Sequence, residues 1–256
     1  MSRGRPVRAL VRTEDDRADG LRRRGATTVV GDLHDRASLV AAVDGVSAVY
    51  FAYPIAAGVI PAAANLASVL VAAGSSAHVV VMSMAVSSLD SPSRLGQAQA
   101  VAEEIFIWAG LNPTVLRFGG LFHENVLVLH AASIRDNGLI ANSFGEGPAP
   151  WIGGADAAEI TVAHLLAPRP AATQISYPPP AESINHEEVA RIIAAETGRP
   201  VRYEHIPAAP GGVNWRSPAS PTPRRRSIRL WHNTSQRSAR RCRNEQSRSS
   251  HPTRTR

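Results

Sequence analysis

The chain has 256 residues, enough for one well-packed domain or one domain with an appendage, and a formal net charge of +7. Its single cysteine, Cys242, excludes an intrachain disulfide framework and a cysteine-based zinc site, and fits a reducing, cytoplasmic compartment. All 28 basic residues are arginine, and twelve lie from Arg216 onward against one acid, Glu245; the high isoelectric point therefore describes a tail of +11, while the remainder carries −4.

The first residues, MSRGRPVRALVR, lack the long apolar core of a signal peptide. Pro6 to Val11 predicts a strand, and Asp15 to Arg24 an amphipathic helix with Leu21 inward, closed by Gly25. Thr27 to Val30 is a β-branched strand between glycines. Asp32 and Asp35 open a short helix over Ala37 to Val43, ended by Gly45, and Val46 to Tyr53 follows as a strand apolar on both faces. This is a βαβ unit of the doubly wound kind. Ile55 to Gly74 is uncharged, but Pro61, Asn65, Ser68 and two glycines dilute it; a buried helix over Pro61 to Ala73 is preferred to a membrane span, and no membrane partner is expected.

Farther on, Ala77 to Met82 is a buried strand and Ser83 to Gly96 a polar loop. Gln97 to Ala109 predicts a helix whose apolar face carries Ala98, Val101, Ala102, Ile105 and Trp108. Thr114 to Arg117 is a strand, Asn125 to Ile134 a helix, and Gly138 to Trp151 a Gly/Pro-rich connection. Helices follow over Asp156 to Leu166 and Asn185 to Thr197, the latter capped by Ser183 or Asn185 and ended by Gly198, and then a last strand, Pro200 to Ile206. After Gly212 the apolar periodicity stops.

GDLHD after a strand, a small helix ending DGV, and a strand ending in a Tyr-Pro turn together resemble the NmrA-like family. These are atypical short-chain dehydrogenase/reductase relatives that bind NAD(P) on a Rossmann fold. The resemblance implies an α/β, doubly wound parallel sheet over residues 1–125 and a small substrate-side lobe over 126–212; beyond it, the arginine charge and the few apolar residues over 213–256 predict a disordered tail. It implies NADP, with NAD as the alternative, and a small organic substrate reduced by hydride transfer; the rival is a redox sensor without turnover. The sequence gives no reading of oligomeric state.

In this resemblance Arg12 contacts the 2′-phosphate of NADP, with Arg17 assisting, because a guanidinium makes two parallel charged hydrogen bonds to phosphate. A solvated strand-end arginine is the plain alternative. Asp32 and Leu33 fall beside the adenine, unless Asp32 serves as a helix cap. Ala52, Tyr53 and Pro54 end the next strand, with Tyr53 stacking on the cofactor or packed in a loop. Ser83 and Met84 end the fifth strand. The superfamily's Tyr-x-x-x-Lys pair, a proton donor and its activator, aligns with Leu95 and Gln99, neither of which can do that chemistry. Arg117, Phe118 and Gly119 fall beneath the nicotinamide. Phe122 and Asn125 enter the substrate lobe. His123 between them is a candidate proton donor, with a loop histidine the plainer reading. No metal site is expected.

A Gly-rich phosphate cradle does not occur between Met1 and Pro6, and the family's first strand, which belongs between the second and fourth, is missing with it. Gly145-Glu146-Gly147 and Gly153-Gly154 are read as not leading from a strand into a helix. Losing two or three charged hydrogen bonds to the pyrophosphate weakens binding roughly a thousandfold, so impaired cofactor binding is expected of these 256 residues. For the tail three readings stand: a nucleic-acid arm, a solvated tail, and out-of-frame translation. The last is preferred because family-like text runs through VRYEHIPAA and then gives way to Arg/Ser/Pro text.

Two outcomes are expected. In-frame coding sequence upstream of Met1 should contain a strand and a Gly-rich loop; stop codons directly upstream would sink this. Trypsin should cut first at the tail arginines and leave a body ending near Arg216; a tail as resistant as the body would show it to be packed.

Overall fold

The computed structural model describes residues 4–119, 121–180 and 182–207; the tail lies outside these residues. The elements in chain order are β1 (Arg8–Val11), α1 (Asp16–Arg23), β2 (Thr27–Val30), a 3₁₀ turn (Arg36–Leu39) running into α2 (Val40–Val43), β3 (Ala48–Phe51), α3 (Val59–Ala72), β4 (His78–Met84), α4 (Arg94–Trp108), β5 (Thr114–Phe118), β6 (Leu121–Phe122), α5 (Glu124–Asn137), β7 (Leu139–Asn142), β8 (Ala149–Ile152), α6 (Gly154–Leu166), β9 (Gln174–Ser176), β10 (Glu182–Ile184), α7 (His186–Thr197) and β11 (Arg202–His205). They divide into two compact units, 4–117 with 164–177, and 118–163 with the described residues from 178 on.

The first unit is a parallel α/β layer structure. Its strands pair as β1-β2 and as β3-β4-β5-β9, with Arg8 opposite Thr27 and Ala48 opposite His78. No ladder joins β1 to β3 among the described residues, the place where the family resemblance puts a further strand. Crossover helices between parallel strands give the Rossmann-like order expected from the sequence. Val79, Val80 and Val81 of β4 are fully buried because β4 has a neighbour on each side. Each such side chain contributes about 1.5–3 kcal/mol. Val59, Ala62, Leu66, Ala67 and Leu70 of α3 fill the space against Phe106 of α4 and Val79 and Val81 of the sheet. The small residues let helix and sheet approach closely. At the open end of α2 the Arg8 guanidinium donates to the carbonyls of Ala41, Ala42 and Asp44 at 3.1, 3.2 and 2.6 Å, satisfying orphaned helix acceptors.

Four local readings change. Ser83 and Met84 belong to β4 and not to a loop. Asp35, not Asp32, caps the short helix, accepting from the Ala37 amide at 3.0 Å. Strand β3 is shorter than Val46 to Tyr53 and only half buried, with Tyr50 exposed, since among the described residues one of its edges carries no partner strand. Trp108 is 72% exposed at the last turn of α4, because the buried face of that helix runs through Gln99, Glu103 and fully buried Phe106, and Trp108 lies on the opposite side of the turn from Phe106. Among the described residues no helix is long and apolar enough to cross a membrane. The uncharged stretch after Pro54 forms α3, only 14 residues long.

In the second unit, β10-β8-β6 and β11-β7 form two small sheets. The Gly138-to-Trp151 connection therefore holds two strands, β7 and β8, and β9 and β10 were likewise not legible in the sequence. Each has only three or four residues, too few for an alternating pattern to stand out. Gly138 ends α5 at φ 61°, and a Cβ there would collide with the Pro200 carbonyl oxygen, so the close approach of β11 requires glycine. Asn185 caps α7, accepting from the Glu188 amide at 2.8 Å.

The core of this unit is aromatic. The His186 ring, 3% exposed, stacks on Tyr203 at 5.2 Å and Phe144 at 5.6 Å and meets Trp151 edge-on at 5.3 Å. Burial, with a smaller contribution from nearby His130, lowers the His186 pKa from 6.5 to about 4. Because the folded value lies below the unfolded one, the fold holds the neutral ring. The stabilisation is complete above about pH 6.5 and is lost as pH falls toward 4, a loss of about 3 kcal/mol. Thermal unfolding should show the midpoint falling across that window. His186→Phe should flatten the dependence, and an unchanged slope in that variant would place the acid sensitivity elsewhere.

Candidate functional site at the carboxyl ends of the strands

In a parallel α/β sheet, ligands lie beyond the carboxyl ends of the strands. At the end of β1, Arg12 is exposed and makes no hydrogen bond among the described residues. Arg17 is engaged. Asp15 caps α1 through the Arg17 and Ala18 amides at 3.0 and 3.1 Å and takes the Arg17 guanidinium at 2.7 Å. The Arg17 side chain, then the Ala18 amide, hold the Asp15 carboxyl down to about 2.

At the end of β2 the Asp32 carboxylate accepts from the His34 amide at 2.8 Å, an Asx turn. The Leu33 side chain packs on the core, and its carbonyl takes Asn65 Nδ2 at 2.9 Å. Ala52 and Pro54 are exposed after β3, whereas Tyr53 is fastened. The Tyr53 hydroxyl donates to the Ala57 carbonyl at 3.1 Å, which assigns the His34 Nε2 proton as the donor in their 2.8 Å contact. Gly58, at φ 110°, leaves no room for a Cβ, which would lie 2.6 Å from both the His34 ring and the Tyr53 oxygen. His34 was not singled out in the sequence; its place two residues after Asp32 in the strand-end turn is the signal that pointed to it.

At the ends of β4 and β5 lies a buried polar chain. Ser83 donates to the Glu103 carboxylate, and Ser87 therefore donates to Ser83, at 2.9 Å. Glu103, on α4, is 2% exposed and paired with Arg117 of β5 at 2.5 Å. Arg117 in turn donates through Nη1 to the Tyr177 hydroxyl at 2.8 Å. The hydrogen bonds it donates to Glu103, outweighing the opposing burial, raise the guanidinium pKa further above its usual value. Gln99 is buried on the same face of α4, one turn before Glu103, and Met84 is half buried at the end of β4. Two polar residues four apart on an otherwise apolar helix face were the available sign that α4 carries a buried network.

In the second unit Phe118 is buried and its ring lies 6.1 Å from that of Phe122, with half-buried Gly119 between them in sequence. His123 precedes α5 and stacks on Trp151 at 6.1 Å, its Nε2 closed off from solvent; Asn125 is half buried on the first turn. The Gly153-Gly154 reading is corrected here: β8 does lead through Gly153 into α6. That helix start is already occupied, since the Glu124 carboxylate accepts from the Gly154 amide at 3.0 and 3.1 Å. A carboxylate suits the positive end of the helix. Asp156, on the first turn of α6, has its pKa raised, chiefly by burial and then by Glu159 and Glu124, with His123 opposing. Among the described residues no cluster of three or more His, Cys, Asp or Glu side chains is placed to hold a metal ion.

Parallel strands joined by crossover helices, with polar side chains gathered at their carboxyl ends, define a protein of the Rossmann-like α/β class. A model of the NmrA-like family matches residues 1–210, and the chain belongs to that family. It is 32% identical over 210 residues to the NAD(P)H azoreductase of Xenophilus azovorans, spanning 78% of this chain and 68% of that protein. Among solved structures it resembles the Escherichia coli NADPH-dependent quinone oxidoreductase complexed with NADPH, with a TM-score of 0.68 and 22% identity over 80% of this chain and 72% of that one. The Citrobacter sp. triphenylmethane reductase complexed with NADP(H) is similar at a TM-score of 0.65 and 20% identity, over 78% and 69% of the two chains.

The Glu103–Arg117 pair gives a stability prediction. Arg117→Ala should cost about 3–5 kcal/mol in chemical denaturation, because it leaves a buried carboxylate without its cation. Glu103→Leu with Arg117→Met, which removes both charges, should recover most of that loss. Equal losses in both variants would mean that packing, not charge, dominates.

Proposed function

We propose that the chain is an NAD(P)H-dependent oxidoreductase that reduces a small organic molecule and prefers NADP(H). The 32% identity to a protein named as an NAD(P)H azoreductase, across most of this chain, carries this reading. The described residues fit the adenosine end of the cofactor. Arg12 is exposed at the end of β1, where its guanidinium pairs with a 2′-phosphate. Arg17 assists there on leaving its ion pair with Asp15. Asp32 and Leu33 line the adenine edge, and Ala52, Tyr53 and Pro54 form a wall held by His34. Ser83, Met84, Gln99 and Arg117 act from the ends of β4 and β5 and from α4. Phe118 and Gly119 shape the nicotinamide position, and Phe122 and Asn125 contact substrate.

Bound there, the nicotinamide supplies a hydride. The sequence offers His123 or water as the proton source. Residues 1–125 and 126–212 are assigned as cofactor and substrate regions, and a reducing cytoplasmic compartment suits a chain with one cysteine. The arginine-rich tail leaves a nucleic-acid arm as a rival reading; binding to DNA that falls steeply with salt and is lost on deleting residues 213–256 would favour it.

NADPH should be oxidised in the presence of a quinone or azo acceptor. In a chain extended at its N-terminus by a strand and a Gly-rich loop, Arg12→Ala should raise the Kd for NADPH about tenfold, or about 1.4 kcal/mol, while NADH changes less than about twofold. Equal losses for the two cofactors in titration would remove Arg12 from the phosphate.

A further inference from the structure

We infer that Tyr177 is the proton donor of the proposed reductase, oriented by Arg117, which the buried Glu103 holds in place. This rests on the functional reading above and adds to it a residue that the sequence did not offer.

Tyr177 directly follows β9, and the register of the parallel pair puts Leu116 opposite Ser176, so Arg117 and Tyr177 come next at the same carboxyl edge. Tyr177 as a residue is 58% exposed, so it stands at the surface of the sheet edge rather than in the core. Arg117 Nη1 is the donor in the 2.8 Å contact, so the phenol oxygen accepts there and its own proton remains available to another acceptor. The guanidinium carbon lies 5.8 Å from the ring centroid. A phenolate left after proton transfer would thus sit against a fixed cation. Arg117 cannot swing away without stranding Glu103, which is also tied to Ser83. A phenol beside a permanent cation is the chemistry that Leu95 and Gln99 cannot supply on α4. Here it comes from two neighbouring strands. His123, by contrast, has its Nε2 closed off from solvent.

The step balances as follows. A quinone takes up a hydride and the Tyr177 Oη proton, one at each carbonyl oxygen, giving a hydroquinone; an azo N=N takes the hydride at one nitrogen and the proton at the other, giving a hydrazine. Tyr177 is left as phenolate opposite Arg117 and regains its proton from water.

Two measurements test this. With NADPH and a quinone or azo acceptor, Tyr177→Phe should lower kcat about a hundredfold with KM changed less than about threefold. Separately, and without cofactor, N-acetylimidazole labelling mapped by mass spectrometry should acetylate the Tyr177 oxygen about tenfold faster than that of the partly exposed Tyr50. That excess should vanish in the double variant Glu103→Leu/Arg117→Met, which removes the cation without stranding a charge. Wild-type turnover with Tyr177→Phe equally active overturns this inference and leaves the function standing. Labelling of Tyr177 no faster than Tyr50, or unaffected by the double variant, also overturns it. A wild type that oxidises NADPH with no acceptor overturns the functional reading itself, and the role of Tyr177 with it.

Discussion

A carboxylate taken out of water must be matched by a cation, and Glu103 imposes that constraint on the first unit. Its position on α4 fixes where Arg117 of β5 must point, and Ser83 of β4 supplies a further hydrogen bond to the same carboxylate. One buried side chain thus ties a helix to the ends of two adjacent strands. The net contribution of such a pair to stability is small compared with an apolar equivalent, because desolvation offsets most of the attraction. Its consequence is geometric. The pair fixes the direction of a guanidinium at the sheet edge where a ligand of this fold would lie.

The rest of that edge is arranged with the same economy. Turn residues that leave β2 and β3 are bonded to one another, His34 to Tyr53 and Asp32 to the His34 amide, so the wall is set before any ligand arrives. Arg12 stands apart from these bonds among the described residues. Arg17 is drawn into the cap of α1 by Asp15. The two arginines are close in sequence but electrostatically different: one charge is matched within its own helix cap, and the other is available to an anion.

The two helix starts best described show how local chemistry competes with ligand binding. At α1 the Arg17 and Ala18 amides are satisfied by Asp15, and at α6 the Gly154 amide by Glu124, which comes from a distant part of the chain. A helix start that already holds a carboxylate is satisfied without phosphate. The Gly153-Gly154 pair therefore sits at a strand-to-helix turn, as a phosphate cradle would, yet its electrostatic demand is met from within the chain.

The amino-acid sequence by itself determined the alternation of strands and helices as far as Arg117, the family, and the candidate positions at the strand ends. Those depend on local patterns: β-branched runs between glycines, apolar residues at helical spacing, and helix ends such as Gly25 and Asn185. It did not reveal β7, β8, β9 or β10, whose three or four residues form strands only because partners elsewhere in the chain accept their hydrogen bonds. It placed Trp108 inward, since the buried face of α4 runs through Gln99, Glu103 and Phe106, and two polar residues on that face hid it from an apolar pattern. Pairings between residues far apart in sequence were decided by the tertiary structure alone. Glu103 meets Arg117 across 14 positions, Arg117 meets Tyr177 across 60, and Glu124 meets Gly154 across 30. No local pattern encodes such pairs, because they exist only once strand order and register have brought the ends of the elements together.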